Sequence, residues 1–282
     1  MEMMIRVINV SCGTLGLALV FLLLLIFTLS EGARYRLKFL IFIVGAAFAT
    51  MWPLPFMFLR PKDWRNALIP AWQLRKIINF LGLKFVVQGK ENIVKNSGAV
   101  IVINHQSGLD LGVLAELWPV IDNCTVIAKK EILTYTGPFG LAAYMWGTIF
   151  IDRKKRETAL DALNSTVDII KRNSSKLLLF PEGTRHSENT LRPFKKGAFH
   201  VAIAAQTPIQ PVVVSKYYFI NDKLKKFRPG TSYIRILPPI STEGMTKENL
   251  DELMNKTQEF MNTEFQKINE EVRRGIEIKK HE

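Results

Sequence analysis

His105 and Asp110 are the residues whose types and spacing best suit chemistry in this sequence. They flank Gln106-Ser107-Gly108-Leu109, a turn that follows the apolar run Ala99 to Ile103. A carboxylate folded back across such a turn onto the imidazole fixes its tautomer. The other ring nitrogen is then left to take a proton from a bound hydroxyl. The same spacing also suits a capping aspartate beside a hydrogen-bonded structural histidine, and this stretch alone leaves both readings open. Two further segments set polar residues at the end of an apolar run. One is Gly147-Thr148-Ile149-Phe150-Ile151-Asp152-Arg153, and the other is Phe180-Pro181-Glu182-Gly183-Thr184-Arg185. An arginine at a strand end suits a phosphate, because its planar fork gives bidentate, charge-assisted hydrogen bonds. In the second segment a permissive glycine, a hydroxyl and an arginine share a tight loop whose backbone N–H groups can cradle an anion. Pro181 stops the strand and stiffens the turn. Lys195-Lys196-Gly197 adds positive charge facing either phosphates or solvent. Each segment alone is more often a surface ion pair or a turn than a ligand site. Their joint arrival at one edge of a sheet is what points to a site.

Of the four histidines, His186 and His200 lack a flanking carboxylate turn and read as structural, and His281 lies in the terminal tail. The sequence has no Gly-x-x-x-x-Gly-Lys-Ser/Thr loop, Gly-x-Ser-x-Gly elbow or His-Glu-x-x-His pair, which argues against nucleotide hydrolysis, serine hydrolysis and zinc peptidase chemistry.

The elements that must position these residues alternate from Leu83 onward. Strands are expected over Lys84–Gln88, Ala99–Ile103, Asn123–Ala128, Thr148–Ile151, Lys176–Phe180, Ile209–Ser215 and Tyr233–Leu237. Helices are expected over Asp110–Trp118, Glu157–Arg172 and Gly197–Ala205, with a charged helix over Lys247–Val272. This pattern predicts an α/β fold, a mostly parallel sheet flanked by helices, in which ligands collect at the C-terminal strand edges.

Before that domain the chain is apolar. Val7 to Leu29 is long enough to cross a bilayer and exceeds the core of a signal peptide, so it reads as an uncleaved anchor. Phe39 to Leu59 is a second apolar stretch, broken by Pro53 and Pro55, that suits a tilted, re-entrant or interfacial element as well as a second crossing. Ala67 to Leu83 has the pattern of a basic amphipathic helix, packed on the domain or lying on headgroups. The expected organisation is N-terminal hydrophobic membrane helices over residues 1–66 and a catalytic domain over 67–282. The chain of 282 residues carries a net charge of +13, which asks for an acidic partner: nucleic acid, anionic lipid or a phosphorylated substrate. Its mean hydropathy of +0.10 is high for so charged a chain and points to membrane contact. Cys12 and Cys124 form no disulfide framework or zinc spacing, which fits a reducing compartment.

Asn104-His105-Gln106-Ser107-Gly108-Leu109-Asp110 resembles the His-x4-Asp motif of the glycerolipid acyltransferases. Gly147 to Arg153 resembles their second motif, Phe180 to Arg185 their Phe-Pro-Glu-Gly-Thr-Arg motif, and Ile209-Gln210-Pro211-Val212-Val213 their proline-containing fourth. The order and spacing agree over roughly Gly82 to Leu237, and within that family the chain looks like the 1-acyl-sn-glycerol-3-phosphate (lysophosphatidic acid) acyltransferases. The resemblance implies transfer of a fatty acyl group from acyl-CoA to the sn-2 hydroxyl of lysophosphatidic acid, giving phosphatidic acid. It implies His105 as general base and Asp110 as the residue that orients it. It places Arg153, Glu182, Gly183, Thr184 and Arg185 at the glycerol-phosphate, and Pro211 at acyl-CoA or in the site's architecture. Acyl-CoA enters as a co-substrate, and no metal or tightly bound cofactor is implied.

Both substrates are anionic amphiphiles, which suits a basic domain beside a membrane. Acyl-CoA is expected on the cytosolic side, so the expected address is the endoplasmic reticulum membrane with the catalytic domain facing the cytosol. Lys279-Lys280-His281-Glu282 looks like a dilysine retrieval signal and agrees with that address, although a solvated basic tail has the same composition. Two other readings stand beside this one. A neighbouring acyltransferase would use glycerol 3-phosphate or another lysophospholipid, and a membrane lipid-binding scaffold would carry a retired site, against which intact His105, Asp110 and Glu182 argue. The apolar segments and the absence of recognition motifs disfavour nucleic acid.

Overall fold

The structure, a computed structural model, describes residues 13–22, 25, 28, 30–151 and 166–281, the side chains of 278–281 excepted. Arg153, residues 157–165 of the helix expected to end at Arg172, the dilysine side chains and much of the apolar stretch 7–29 therefore lie outside the described residues. The described remainder of the expected helix, 166–173, is helical.

Seven strands form the main sheet: β1 (Leu83–Gln88), β2 (Ala99–Ile103), β3 (Cys124–Lys129), β4 (Ile149–Ile151), β5 (Lys176–Leu179), β6 (Ile209–Val214) and β9 (Gly230–Ile236). They lie in the order β1-β9-β6-β2-β5-β3-β4. Every neighbouring pair is parallel except β6 and β9, so β1 and β9 run opposite to the other five. The reversal arises because β6 returns to β9 through a small hairpin, β7 (Ile220–Asn221) with β8 (Lys226–Phe227), and not through a helical crossover. The five co-directional strands end at one edge, as the sequence pattern predicts, and β2 is the central strand of the seven, between β6 and β5.

β2 is buried along its whole length. Ala99, Ile101 and Ile103 face one core and Val100 and Val102 the other, which is why its sequence is a continuous apolar run without alternation. The first core is covered by α1 (Glu31–Met51), α2 (Leu68–Phe80) and α3 (Asp110–Leu117). The second is covered by α6 (Gly197–Ala205) and α7 (Leu250–His281). Two short helices, α4 (Lys130–Tyr135) and α5 (Pro138–Met145), connect β3 to β4.

α1 begins with Ser30 accepting from Ala33 N–H, and it carries Arg34, Arg36 and Lys38 before its apolar part starts at Phe39. That apolar part rises only about 20 Å at 1.5 Å per residue, against the roughly 30 Å hydrocarbon core of a bilayer. Among the described residues no helix is long and apolar enough to cross a membrane. Among the described residues, the expected N-terminal membrane helices are represented by α1, which packs on the domain, and by residues 13–22, which are helical and exposed. Gly45 lies at the contact of α1 with the domain, where a β-carbon would come 2.9 Å from Ile77 Cδ1 of α2 and the isoleucine would have to give way. Leu40, Ile43, Val44 and Phe48 on the outer side of α1, and Trp72 and Phe80 of α2, are exposed.

Candidate active site

The site is built where β2, β5 and β6 end. Asn104, directly after β2, is 1% exposed and grips the end of β6 in both directions. Its Nδ2 donates to Val214 O at 3.0 Å, and its Oδ1 accepts from Val214 N–H at 2.7 Å. Gln106 Nε2 donates to Val214 O and Ser215 O, both at 3.1 Å. The turn carrying His105 is therefore fastened to β6 on both sides of the histidine.

Asp110 opens α3 and folds back over that turn. Its Oδ2 accepts from His105 Nδ1 at 2.6 Å, from Gln106 N–H at 2.7 Å and from Ser107 N–H at 3.1 Å. Since the carboxylate accepts, Nδ1 carries the hydrogen and Nε2 presents its lone pair. Nε2 has no hydrogen-bond partner among the described residues. The imidazole stacks on Phe180 with centroids 4.0 Å apart, and 22% of the side chain is open to solvent.

Glu182 comes from the end of β5 and is 2% exposed. Its Oε1 accepts from His105 N–H at 2.8 Å, and its Oε2 accepts from Arg192 N–H at 2.8 Å and from His186 Nε2. Glu188 N–H donates to His186 Nδ1 at 3.3 Å, which leaves the His186 hydrogen on Nε2, facing Glu182. His186 N–H donates in turn to His105 O at 3.1 Å. Two features differ from the sequence reading. Glu182, expected at the substrate, uses its carboxylate inside the protein, on the main chain of His105 and Arg192 and on His186. His186, which the sequence showed without a carboxylate turn, is paired with Glu182.

Gly183 has φ +69°, which the turn after Pro181 requires, and its N–H donates to Phe180 O at 3.1 Å. That amide is used within the loop. Thr184 and Arg185 are exposed beyond it. The Arg185 guanidinium reaches the His105–Asp110 turn, since a β-carbon at Gly108 would lie 3.5 Å from its Nη1. Lys195 covers the other side of the loop, where a β-carbon at Gly183 would lie 2.8 Å from its Nζ. One cation thus lies against the His105–Asp110 turn and another against the loop after β5, while Lys196 is engaged with Asp251 at 2.7 Å.

The sequence-predicted residues therefore divide into groups. His105, Asp110, Glu182, Gly183, Thr184 and Arg185 come together, and Arg153 lies outside the described residues. Pro211 is buried inside β6 opposite Val102, where it belongs to the sheet that carries the turn. Sequence reasoning missed Phe180 as the stacking partner and Tyr217, whose hydroxyl donates to Asp110 Oδ1 at 2.6 Å. Tyr217 follows β6 by three residues, and that position at the common strand edge was the one available signal.

A family model described as Acyltransferase matches residues 84–215. The human 1-acyl-sn-glycerol-3-phosphate acyltransferase alpha is 34% identical over 256 residues, spanning 90% of this chain and 89% of that protein. The 1-acyl-sn-glycerol-3-phosphate acyltransferase of Saccharomyces cerevisiae is 44% identical over 184 residues, 64% of this chain and 59% of that protein. The crystal structure of the 1-acyl-sn-glycerophosphate (LPA) acyltransferase PlsC from Thermotoga maritima superposes with a TM-score of 0.65 at 22% identity, covering 85% of this chain and 99% of that one, and so shares the fold.

Proposed function

Because the chain belongs to the 1-acyl-sn-glycerol-3-phosphate acyltransferase family, we propose that it transfers a fatty acyl group from acyl-CoA to the sn-2 hydroxyl of lysophosphatidic acid, giving phosphatidic acid. The observation that carries this reading is the Nε2 of His105, without a hydrogen-bond partner among the described residues, with the Arg185 guanidinium beside the same turn. Nε2 takes the sn-2 hydroxyl proton as the oxygen attacks the thioester carbonyl. The tetrahedral intermediate then expels the CoA thiolate, which receives that proton from the imidazolium. Asp110 holds Nδ1–H throughout and stabilises the positive charge that forms on the ring. No acyl-enzyme intermediate is needed. Arg185 and Lys195, with Arg153 of the second motif, meet the phosphate, while Gly183 and Thr184 shape the loop that presents Arg185. Glu182 fixes the base's backbone, and Pro211 contributes through the sheet. In this reading the reaction needs no metal or bound cofactor. The enzyme works at the endoplasmic reticulum membrane with its site towards the cytosol, held there by residues 1–66.

The test is acyl transfer by the purified full chain from labelled oleoyl-CoA to lysophosphatidic acid, glycerol 3-phosphate or lysophosphatidylcholine, with His105→Ala alongside. Phosphatidic acid formed from lysophosphatidic acid, and reduced by about 10³-fold or more in the variant, is the expected result. Transfer to a different acceptor would keep the mechanism and change the substrate. Folded protein that transfers to none would sink the proposal.

A further inference from the structure

We infer that Tyr217 is a positioning residue of the dyad: it holds Asp110 through the oxygen that His105 does not use, and thereby limits how strongly the carboxylate retains the imidazolium. This rests on the reading of His105 as general base. Among the described residues, Asp110 Oδ2 accepts three N–H groups, whereas Oδ1 accepts from the Tyr217 hydroxyl alone, at 2.6 Å. The carboxylate is 3% exposed as a residue, so water does not replace that donor readily. Burial, and then the negative charge of Asp110, raise the Tyr217 phenol well above its ordinary pKa. It therefore stays a donor and does not act as a base.

The placement is rigid. Ser215 N–H donates to Tyr233 O at 2.9 Å, and Lys216 N–H donates to Asn269 Oδ1 at 2.8 Å. The Tyr217 ring meets the edge of Phe85 at 5.8 Å and stacks on Phe219 at 5.4 Å. Tyr217→Phe retains these ring contacts and deletes one hydrogen bond. Asp110 Oδ1 then carries undivided charge, and the imidazolium facing Oδ2 becomes easier to form. The other titratable or charged groups around His105 are left in place. Among the described residues these include Glu182 at its backbone N–H, His186 behind Glu182, Arg185 over the turn and Lys195 over Gly183.

The acid limb of kcat/KM, which reports the fraction of neutral base, should move upward in Tyr217→Phe by about half to one pH unit. Activity on the acid side then falls by about 3–10-fold, while kcat on the high-pH plateau stays within about fivefold. Site-specific 3-fluorotyrosine at 217 keeps the ring and the hydroxyl, strengthens the donor, and should move the limb downward. The same titration is read without turnover from the pH dependence of His105 carbethoxylation by diethyl pyrocarbonate, quantified by mass spectrometry. If the wild type transfers no acyl group, the acyltransferase reading fails while the carbethoxylation titration still decides for Tyr217. Unmoved His105 titrations in both variants, with activity lost equally at all pH values, would make Tyr217 a core residue only and overturn the inference.

Discussion

At the scale of single residues, the dyad depends on how completely Asp110 is occupied. Because Oδ2 takes three N–H donors, an amide at 110 has one sensible orientation, with its oxygen on those donors and its NH2 towards the Tyr217 oxygen. Asp110→Asn should therefore fold with its hydrogen bonds largely kept and its charge lost. Its kcat should fall by roughly 10²–10⁴-fold with little change in KM, as when a triad aspartate is replaced. Steady-state kinetics on the folded variant check this, and a loss below tenfold would return Asp110 to the role of a turn cap. The local part of this constellation was legible in the sequence, because His105 and Asp110 lie five residues apart across one turn. The rest was not. Glu182 and Tyr217 are separated from their partners by 77 and 107 residues, and hydrophobic periodicity does not encode that β5 and β6 flank β2. Glu182 illustrates the difference: its motif was visible, but only burial reveals that it grips backbone.

At the scale of elements, α7 does more than cover a core. Leu253, Met261, Phe265 and Ile268 bury one stripe. Beside it, Gln258, Asn262, Gln266 and Asn269 form a row of amides, each about one helical turn from the next. Gln258 Oε1 accepts from Phe194 N–H at 3.1 Å, Asn262 Oδ1 accepts from Leu191 N–H at 3.1 Å, and Gln266 Nε2 donates to Asn189 O at 2.7 Å. The segment that supplies Arg192 N–H to Glu182 is thus clamped through its main chain. Asn262→Leu leaves Leu191 N–H without its partner, a loss of about 1–2 kcal/mol. Amide exchange over residues 186–195 should then quicken roughly tenfold while that of β2 stays put. Equal exchange in both proteins would show that the clamp bears no load. The strands were legible because buried parallel strands are apolar runs, as in β2 and β6. β9 begins at Gly230, earlier than expected at Tyr233, because Gly-Thr-Ser lacks the apolar alternation that marks a strand. The β7–β8 hairpin was missed for a related reason, since its strands have two residues each and carry no period. α7 continues past the expected Val272 to His281, where exposed pairs such as Arg274–Glu270 support a solvated helix without a core-facing stripe.

At the scale of the molecule, two properties bear on where the enzyme works. The chain carries +13, and the exposed apolar faces of α1 and α2 adjoin Arg34, Arg36, Lys38 and Lys76. In the proposed membrane setting, binding to vesicles has an electrostatic part and an apolar part. At 0.1 M salt the full chain should sediment with anionic vesicles more strongly than with zwitterionic ones. The difference should vanish near 1 M, where the Debye length falls from about 10 Å to about 3 Å. A preference that survives high salt would point to recognition of a specific headgroup and not to net charge. The apolar and basic character of this surface was legible from composition, whereas the packing of α1 onto α2 through Gly45 was not, because it depends on a crossing point between helices that no local pattern marks. The amide row of α7 also sets an order in time. The base, its carboxylate partner, Glu182 and Tyr217 are all translated before Gln258 and Asn262, so a growing chain holds every reactive group of the site before it holds the clamp. In the proposed mechanism a nascent chain stalled short of α7 would carry the reacting groups without the clamp that holds the Arg192 segment against Glu182.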